Sequence, residues 1–259
     1  MAQRIPIGMC GTLEQFAMLA PGYDYVEPML ARTLDPLEDD AAMVLRLAAL
    51  RMLQPPVRAF NIFVPETVRL TGPAVDWGIV ELYVARGLRR AAALGARVIV
   101  FGSAGARRVP DGFPSQEAWA QLVRFLSMCA DHARANGLTI AIEPVYSSNI
   151  ITSYLQGVAL ARQVGRDEIK IVADIIHFWK VNEPLENIYQ APEYVAHVHL
   201  SDTERRAPGP DDPGGAVRRL FEILRDVGYQ GMASVEAGFG NDYAMETAAT
   251  LTYLRELAE

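Results

Sequence analysis

The sequence predicts an α/β chain closed into a (β/α)8 barrel, and three observations predict it. Eight short β-branched runs alternate with longer segments of helical period along the chain. Strands joined through helices demand a parallel sheet. Eight such units in 259 residues match the roughly 250 residues that a closed barrel needs, which favours closure over an open sheet. No linker, low-complexity tract or break in composition divides the chain, so residues 1–259 read as one domain.

The strands are expected, in order, at 4–10 (RIPIGMC), 23–28 (YDYVEP), 57–64 (VRAFNIFV) and 97–102 (RVIVFG). They continue at 138–145 (LTIAIEPV), 169–174 (IKIVAD), 194–200 (YVAHVHL) and 231–236 (GMASVE). Apolar residues at three- and four-residue spacing predict the clearest helices over 38–53, 76–95, 115–136 and 215–227. Pro114 and Ser115 mark a helix start. Gly95, Gly137 and Gly228 sit where helices stop, each followed within a few residues by the next strand. The segment APGPDDPGG (207–215), directly after strand seven, reads either as a long functional βα loop or as a plain surface loop.

Composition narrows the function. Hydrophobic residues make up 51% of the chain, enough for a sizeable core. The net charge of −7 and a pI near 5.2 argue against nucleic-acid binding, which needs a basic face. Cys10 and Cys129, far apart and in different element types, read as free thiols in a reducing compartment. The opening MAQRIPIGMC lacks a secretory pattern, and no run approaches the roughly 18 apolar residues of a membrane span. A cytoplasmic protein with no membrane partner is expected.

Ligand-type residues close four successive apolar runs. Glu143 ends LTIAIEP, Asp174 and His177 close IKIVADIIH, His199 lies in YVAHVHLSD, and Glu236 ends GMASVE. In a barrel, side chains at the C-terminal strand ends converge on one mouth. Glu143, Asp174, His199 and Glu236 would come from strands five to eight, which are neighbours. Taken singly, each could cap a strand; together they point to one site. The residues two positions earlier, Ala141, Val172, His197 and Ser234, should face the same way into the layer beneath. Three carboxylates and an imidazole suit one divalent ion, with Mn²⁺ or Co²⁺ preferred and Mg²⁺ or Zn²⁺ compatible. Without a cation the clustered carboxylates would raise one another's pKa.

The IEP around Glu143, the Asp-x-x-His of DIIH, the HVHLSDTER segment and the terminal SVE together resemble the sugar isomerase/epimerase superfamily of xylose isomerase-like TIM barrels, over essentially the whole chain. In the ketose 3-epimerases and inosose isomerases of that family, one divalent ion is held by Glu, Asp, His and Glu. The resemblance carries these onto Glu143, Asp174, His199 and Glu236. It also implies that His177 and Arg205 contact substrate oxygens, that the substrate is a small sugar or polyol of carbohydrate metabolism, and that the chain forms a homodimer or homotetramer.

The chemistry so implied is sound on its own terms. A metal chelating a carbonyl and its neighbouring hydroxyl acidifies the adjacent carbon–hydrogen bond and stabilises an enediolate. Glu143 and Glu236, on opposite faces, would remove a proton from one side and return it from the other, inverting the centre. Transfer between neighbouring carbons would instead give isomerisation, and loss of a β-hydroxyl dehydration. The expected function is therefore a metal-dependent isomerase or epimerase of a keto-sugar or inosose, with a keto-inositol or keto-sugar dehydratase as the alternative. A non-catalytic sugar-binding barrel conflicts with the complete ligand set. An endonuclease IV-like repair enzyme conflicts with the acidic charge and with four histidines in total, of which His132 lies in a helix.

One departure concerns the loop after Glu143. The epimerases resemble E-P-L-N-R-x-E-T-N-x-I-N-T, whereas this chain has E-P-V-Y-S-S-N-I-I-T-S. Aligning Asn149 with the family's Asn makes the loop two residues shorter and leaves the family's second glutamate without a counterpart; Tyr146 and Ser147 fill that stretch. Other residues read in two ways. His197 reads as a hydrogen-bonded core or supporting residue rather than a ligand. Arg107 and Arg108 could hold an anion or belong to the loop. Phe178 and Trp179 could wall a sugar ring, but packing on helix six is the better reading. Cys10, Asn61 and Glu66 end strands one and three and are candidates to line the pocket, while Trp77 and Trp119 read as core.

Overall fold

The structure is a computed structural model that describes residues 4–258. All eight expected strands form: β1 (Ile7–Gly11), β2 (Tyr25–Pro28), β3 (Ala59–Phe60), β4 (Val98–Phe101), β5 (Thr139–Ile142), β6 (Ile169–Asp174), β7 (Val195–Leu200) and β8 (Met232–Val235). They make one parallel sheet in the order β2-β1-β8-β7-β6-β5-β4-β3. Its two ends meet, because parallel bridges join Val26 to Val57 and Met29 to Asn61. There the Val26 N–H donates to the Pro56 carbonyl at 3.0 Å and the Asn61 N–H to the Pro28 carbonyl at 3.1 Å. The sheet closes into a single-domain (β/α)8 TIM barrel, as the alternation of elements predicts.

Strand β3 keeps only two residues of the expected 57–64. Pro55 and Pro56 precede it and have no N–H to donate. Just past its end Ile62 turns to a φ of +43°, a conformation that a β-branched residue rarely adopts. Beyond these two residues the pairing continues only as isolated bridges to β2 at Val57 and next to it at Asn61.

Nine helices are present among the described residues: α1 (Leu13–Ala17), α2 (Leu30–Thr33), α3 (Asp40–Arg51), α4 (Trp77–Ala93), α5 (Ser115–Asn136), α6 (Tyr154–Val164), α7 (Ile175–Lys180), α8 (Ala216–Asp226) and α9 (Tyr243–Ala258). The four expected helices correspond to α3, α4, α5 and α8. At the start of α5, Pro114 occupies the cap and Ser115 is the first helical residue. Gly137 ends α5 in the left-handed region at φ +67°, where glycine carries no Cβ penalty. No helix among the described residues is long and apolar enough to cross a membrane.

Two cores result. The large outer one lies between helices and barrel. The inner one fills the barrel with Tyr25, Ala59, Val98, Val100, Ala141 and Val172, with Met232 packed against it. Ala141 and Val172 therefore sit in the layer beneath the strand-end carboxylates, as period-two alternation requires. Tyr25 fits because Gly8 lies across from it; a Cβ at Gly8 would overlap the ring. This filled floor leaves the C-terminal mouth as the place where polar side chains meet.

Candidate metal centre

Glu143, Asp174, His199 and Glu236 leave the ends of four adjacent strands, and one donor atom from each lies within 4.8 Å of the others. His199 is fully buried, Asp174 and Glu143 are buried, and Glu236 is partly exposed toward the mouth. Nδ1 of His199 is the hub: it lies 3.0 Å from Glu143 Oε1, 2.9 Å from Glu236 Oε2 and 3.9 Å from Asp174 Oδ2. Burial disfavours charge on this imidazole, but the Glu236 and Glu27 carboxylates outweigh it and raise its pKa well above the ordinary value. Burial likewise opposes ionisation of Glu236, yet His199 and Arg205 hold its carboxyl well below the usual carboxylate range.

Of the residues that support these donors, the sequence marks only one. His197 is hydrogen-bonded and buried as expected, and its partner is Glu27 on β2. Glu27 is fully buried. Its Oε1 lies 3.0 Å from His199 Nε2 and its Oε2 lies 2.8 Å from His197 Nε2. Ser234 Oγ donates to Oε2 and bonds the Tyr25 hydroxyl at 2.7 Å. Burial opposes a charge here too, and the two histidines more than reverse it, holding the Glu27 carboxyl well below the usual carboxylate range. The signal in the sequence is Glu27-Pro28 closing YDYVEP as Glu143-Pro144 closes LTIAIEP; its partners His197 and His199 lie on β7, which meets β2 only across the closed barrel.

Arg205 reaches the centre through its loop. Its backbone adopts φ +63°, and Asp202 wraps the turn by accepting from the Glu204 N–H at 2.7 Å and the Arg206 N–H at 2.8 Å. The guanidinium then donates to Asp174 Oδ2 at 2.7 Å and to Glu236 Oε2. His177 stands one turn past Asp174, which caps α7 by accepting from the Ile176 N–H at 3.1 Å. His177 Nε2 lies 3.6 Å from Asp174 Oδ2 and 3.8 Å from Glu143 Oε1, too far for a good hydrogen bond to either. The Tyr146 ring lies 5.6 Å away, placing the shortened loop beside His177.

Two further residues shape Glu143. Arg107 is fully buried and donates to the Glu143 carbonyl at 2.8 Å, so it belongs to the loop rather than to a ligand; burial lowers its pKa to about 10. Gly102, ending β4, leaves room for the Glu143 carboxylate, which a Cβ there would overlap. Asn149 clasps Val109 through its amide, accepting from the N–H at 3.1 Å and donating to the carbonyl at 2.8 Å. Phe178 is buried and its ring stacks at 5.6 Å on Tyr154 of α6, whereas Trp179 is exposed. Asn61 lies near the centre, with Nδ2 3.5 Å from Glu236 Oε1, and Cys10 Sγ lies 4.0 Å from His199 Nε2. Glu66 is on an exposed loop against Gly105. Trp77 and Trp119 are partly buried against the outer core.

The donor chemistry fits a divalent ion. Three carboxylates against the Arg205 guanidinium leave negative charge to be balanced, and His199 Nδ1 is the ring nitrogen nearest to them, with Nε2 turned to Glu27. Oxygen-rich donors with one imidazole suit ions of this class.

A model of the xylose isomerase-like TIM barrel matches residues 17–257. The chain belongs to that family. It is 28% identical over 161 residues to a hydroxypyruvate isomerase of Escherichia coli, covering 59% of this chain and 60% of that protein. It is 27% identical over 128 residues to an L-ribulose 3-epimerase of Mesorhizobium japonicum, covering 48% and 42%. The matched segments thus span about half the length of these curated relatives. Among solved structures, a 3-keto-D-glucoside 4-epimerase from E. coli superposes with a TM-score of 0.78 at 19% identity, covering 98% of this chain and 100% of that one. A barrel described as the IOLI protein with a bound zinc atom superposes with a TM-score of 0.72 at 18% identity, covering 98% of each chain. At these identities the structural matches establish the fold alone.

Proposed function

We propose that the protein is a divalent-metal-dependent isomerase or epimerase acting on a small keto-sugar or inosose. The observation that carries this reading is the convergence of Glu143, Asp174, His199 and Glu236 donors within 4.8 Å at the barrel mouth. The names of the curated relatives, an isomerase and an epimerase, support it. In this reading those four residues hold the ion, with Mn²⁺ or Co²⁺ preferred, and the bound ion supplies Lewis-acid polarisation of a carbonyl and its neighbouring hydroxyl.

The chain's own residues would do the rest. Glu143 and Glu236 approach His199 Nδ1 from β5 and β8, so their carboxylates flank the position a reacting carbon would take. One removes a proton from that carbon and the other returns it. Glu236, partly exposed toward the mouth, is placed to meet an entering substrate and take the removing role. His177 Nε2, set back from both neighbouring carboxylates, is placed to donate to or accept from a substrate oxygen. Arg205 holds Asp174 and Glu236 in line and presents positive charge to the same oxygens.

The test is a panel of ketoses, inososes, 3-keto-sugars and hydroxypyruvate incubated with the Mn²⁺-loaded protein in D₂O. Deuterium at a carbon next to a carbonyl, in a product of unchanged formula, is expected. A product lighter by one water would point to the dehydratase, and no exchange with any member of the panel would contradict the reading.

A further inference from the structure

Beneath the four converging donors lies a buried carboxylate that touches none of the sugar-facing residues. Glu27 is fully buried on β2, and both its oxygens are committed, Oε1 to His199 Nε2 at 3.0 Å and Oε2 to His197 Nε2 at 2.8 Å. An ionised carboxylate only accepts, so the proton in each bond sits on Nε2. His197 agrees: its Nδ1 is buried with no partner, as a ring protonated on Nε2 can tolerate most easily. For His199 the bond from Nε2 to Glu27 orients the ring so that Nδ1 faces Glu143, Asp174 and Glu236. Ser234 and Tyr25 tie Glu27 in turn, and Tyr25 is locked by its packing over Gly8.

We propose that Glu27 is a positioning residue that, by accepting from His199 Nε2, holds the ring with Nδ1 turned toward Glu143, Asp174 and Glu236, and thereby sets the affinity of the centre for a divalent ion. The inference rests on the metal-dependent reading above. It also speaks against a second ion. Cys10, Glu27 and His199 can present donors within 4.8 Å of one another, but such a site would have to break the Glu27–His199 bond. The centre therefore takes one ion per chain.

Zinc titration by calorimetry of the wild type, Glu27→Gln and Glu27→Ala tests this, with circular dichroism reporting the fold. A glutamine keeps an acceptor for His199 but loses the charge, so about tenfold weaker binding is expected; alanine loses both, with about a hundredfold loss. Unchanged affinity in the folded variants would overturn the proposal, as would two ions per wild-type chain. Should the alanine variant not fold, nitrogen–proton correlation spectra of the histidine rings in the zinc-loaded wild type decide independently. They should show His199 protonated on Nε2 and zinc-bound through Nδ1; the opposite tautomer overturns the role of Glu27. A wild type that takes up no zinc overturns the metal reading itself, an outcome distinct from variants that bind normally.

Discussion

His199 sits between two sets of carboxylates, Glu27 on its Nε2 side and Glu143, Asp174 and Glu236 on its Nδ1 side. Without an ion this ring holds a proton more tightly than a free imidazole, because Glu236 and Glu27 overcome the cost of burying its charge. The sign follows: its contribution to the stability of the metal-free protein is fully present below about pH 6.5 and is lost as pH rises through its higher folded value. A ligand nitrogen must be deprotonated, so metal and proton compete at Nδ1. Metal uptake at neutral pH should release about one proton per ion, and affinity should rise with pH. Calorimetry in two buffers of different ionisation enthalpy measures this; an enthalpy independent of buffer would contradict it.

Elements turn these residues into a site. The end of β4 contributes no donor, yet Gly102 makes the space in which Glu143 stands. Gly102→Ala should displace the flexible tip of Glu143 rather than the backbone. Stability should change by about 1 kcal/mol or less, while metal affinity falls by on the order of tenfold; a melting curve and a Mn²⁺ titration of the same variant separate the two. Much of this level was legible in the sequence, since a ligand-type residue closing a β-branched run marks both a strand end and a barrel mouth. Glu143, Asp174, His199 and Glu236 were readable for that reason. Glu27 closes YVEP in the same way, but its role as a support depends on His197 and His199 of β7, which β2 meets only across the closed barrel. Asp202 was hidden: its work is to fold the loop that delivers Arg205, and turn hydrogen bonds leave no period. The short β3 depends on Ile62 adopting a positive φ, which no propensity for isoleucine foretells.

Across the whole molecule, an ion held by four strands would tie together half of the barrel. Binding to the folded chain alone stabilises it by about 2.7 kcal/mol at a hundredfold excess over Kd. For a chain of this size that raises Tm by about 5–10 °C, and EDTA should reverse the gain; a melting temperature indifferent to Mn²⁺ and EDTA would contradict it. The central claim, however, is proton transfer by Glu143 and Glu236 across one carbon. Solvent-deuterium wash-in tests it most directly, comparing wild type with Glu236→Gln on the first substrate that exchanges, with metal content measured in both. The account predicts label at the carbon next to the carbonyl in the wild type and a loss of about a hundredfold or more in the folded, metal-loaded variant. Undiminished wash-in by Glu236→Gln would contradict it.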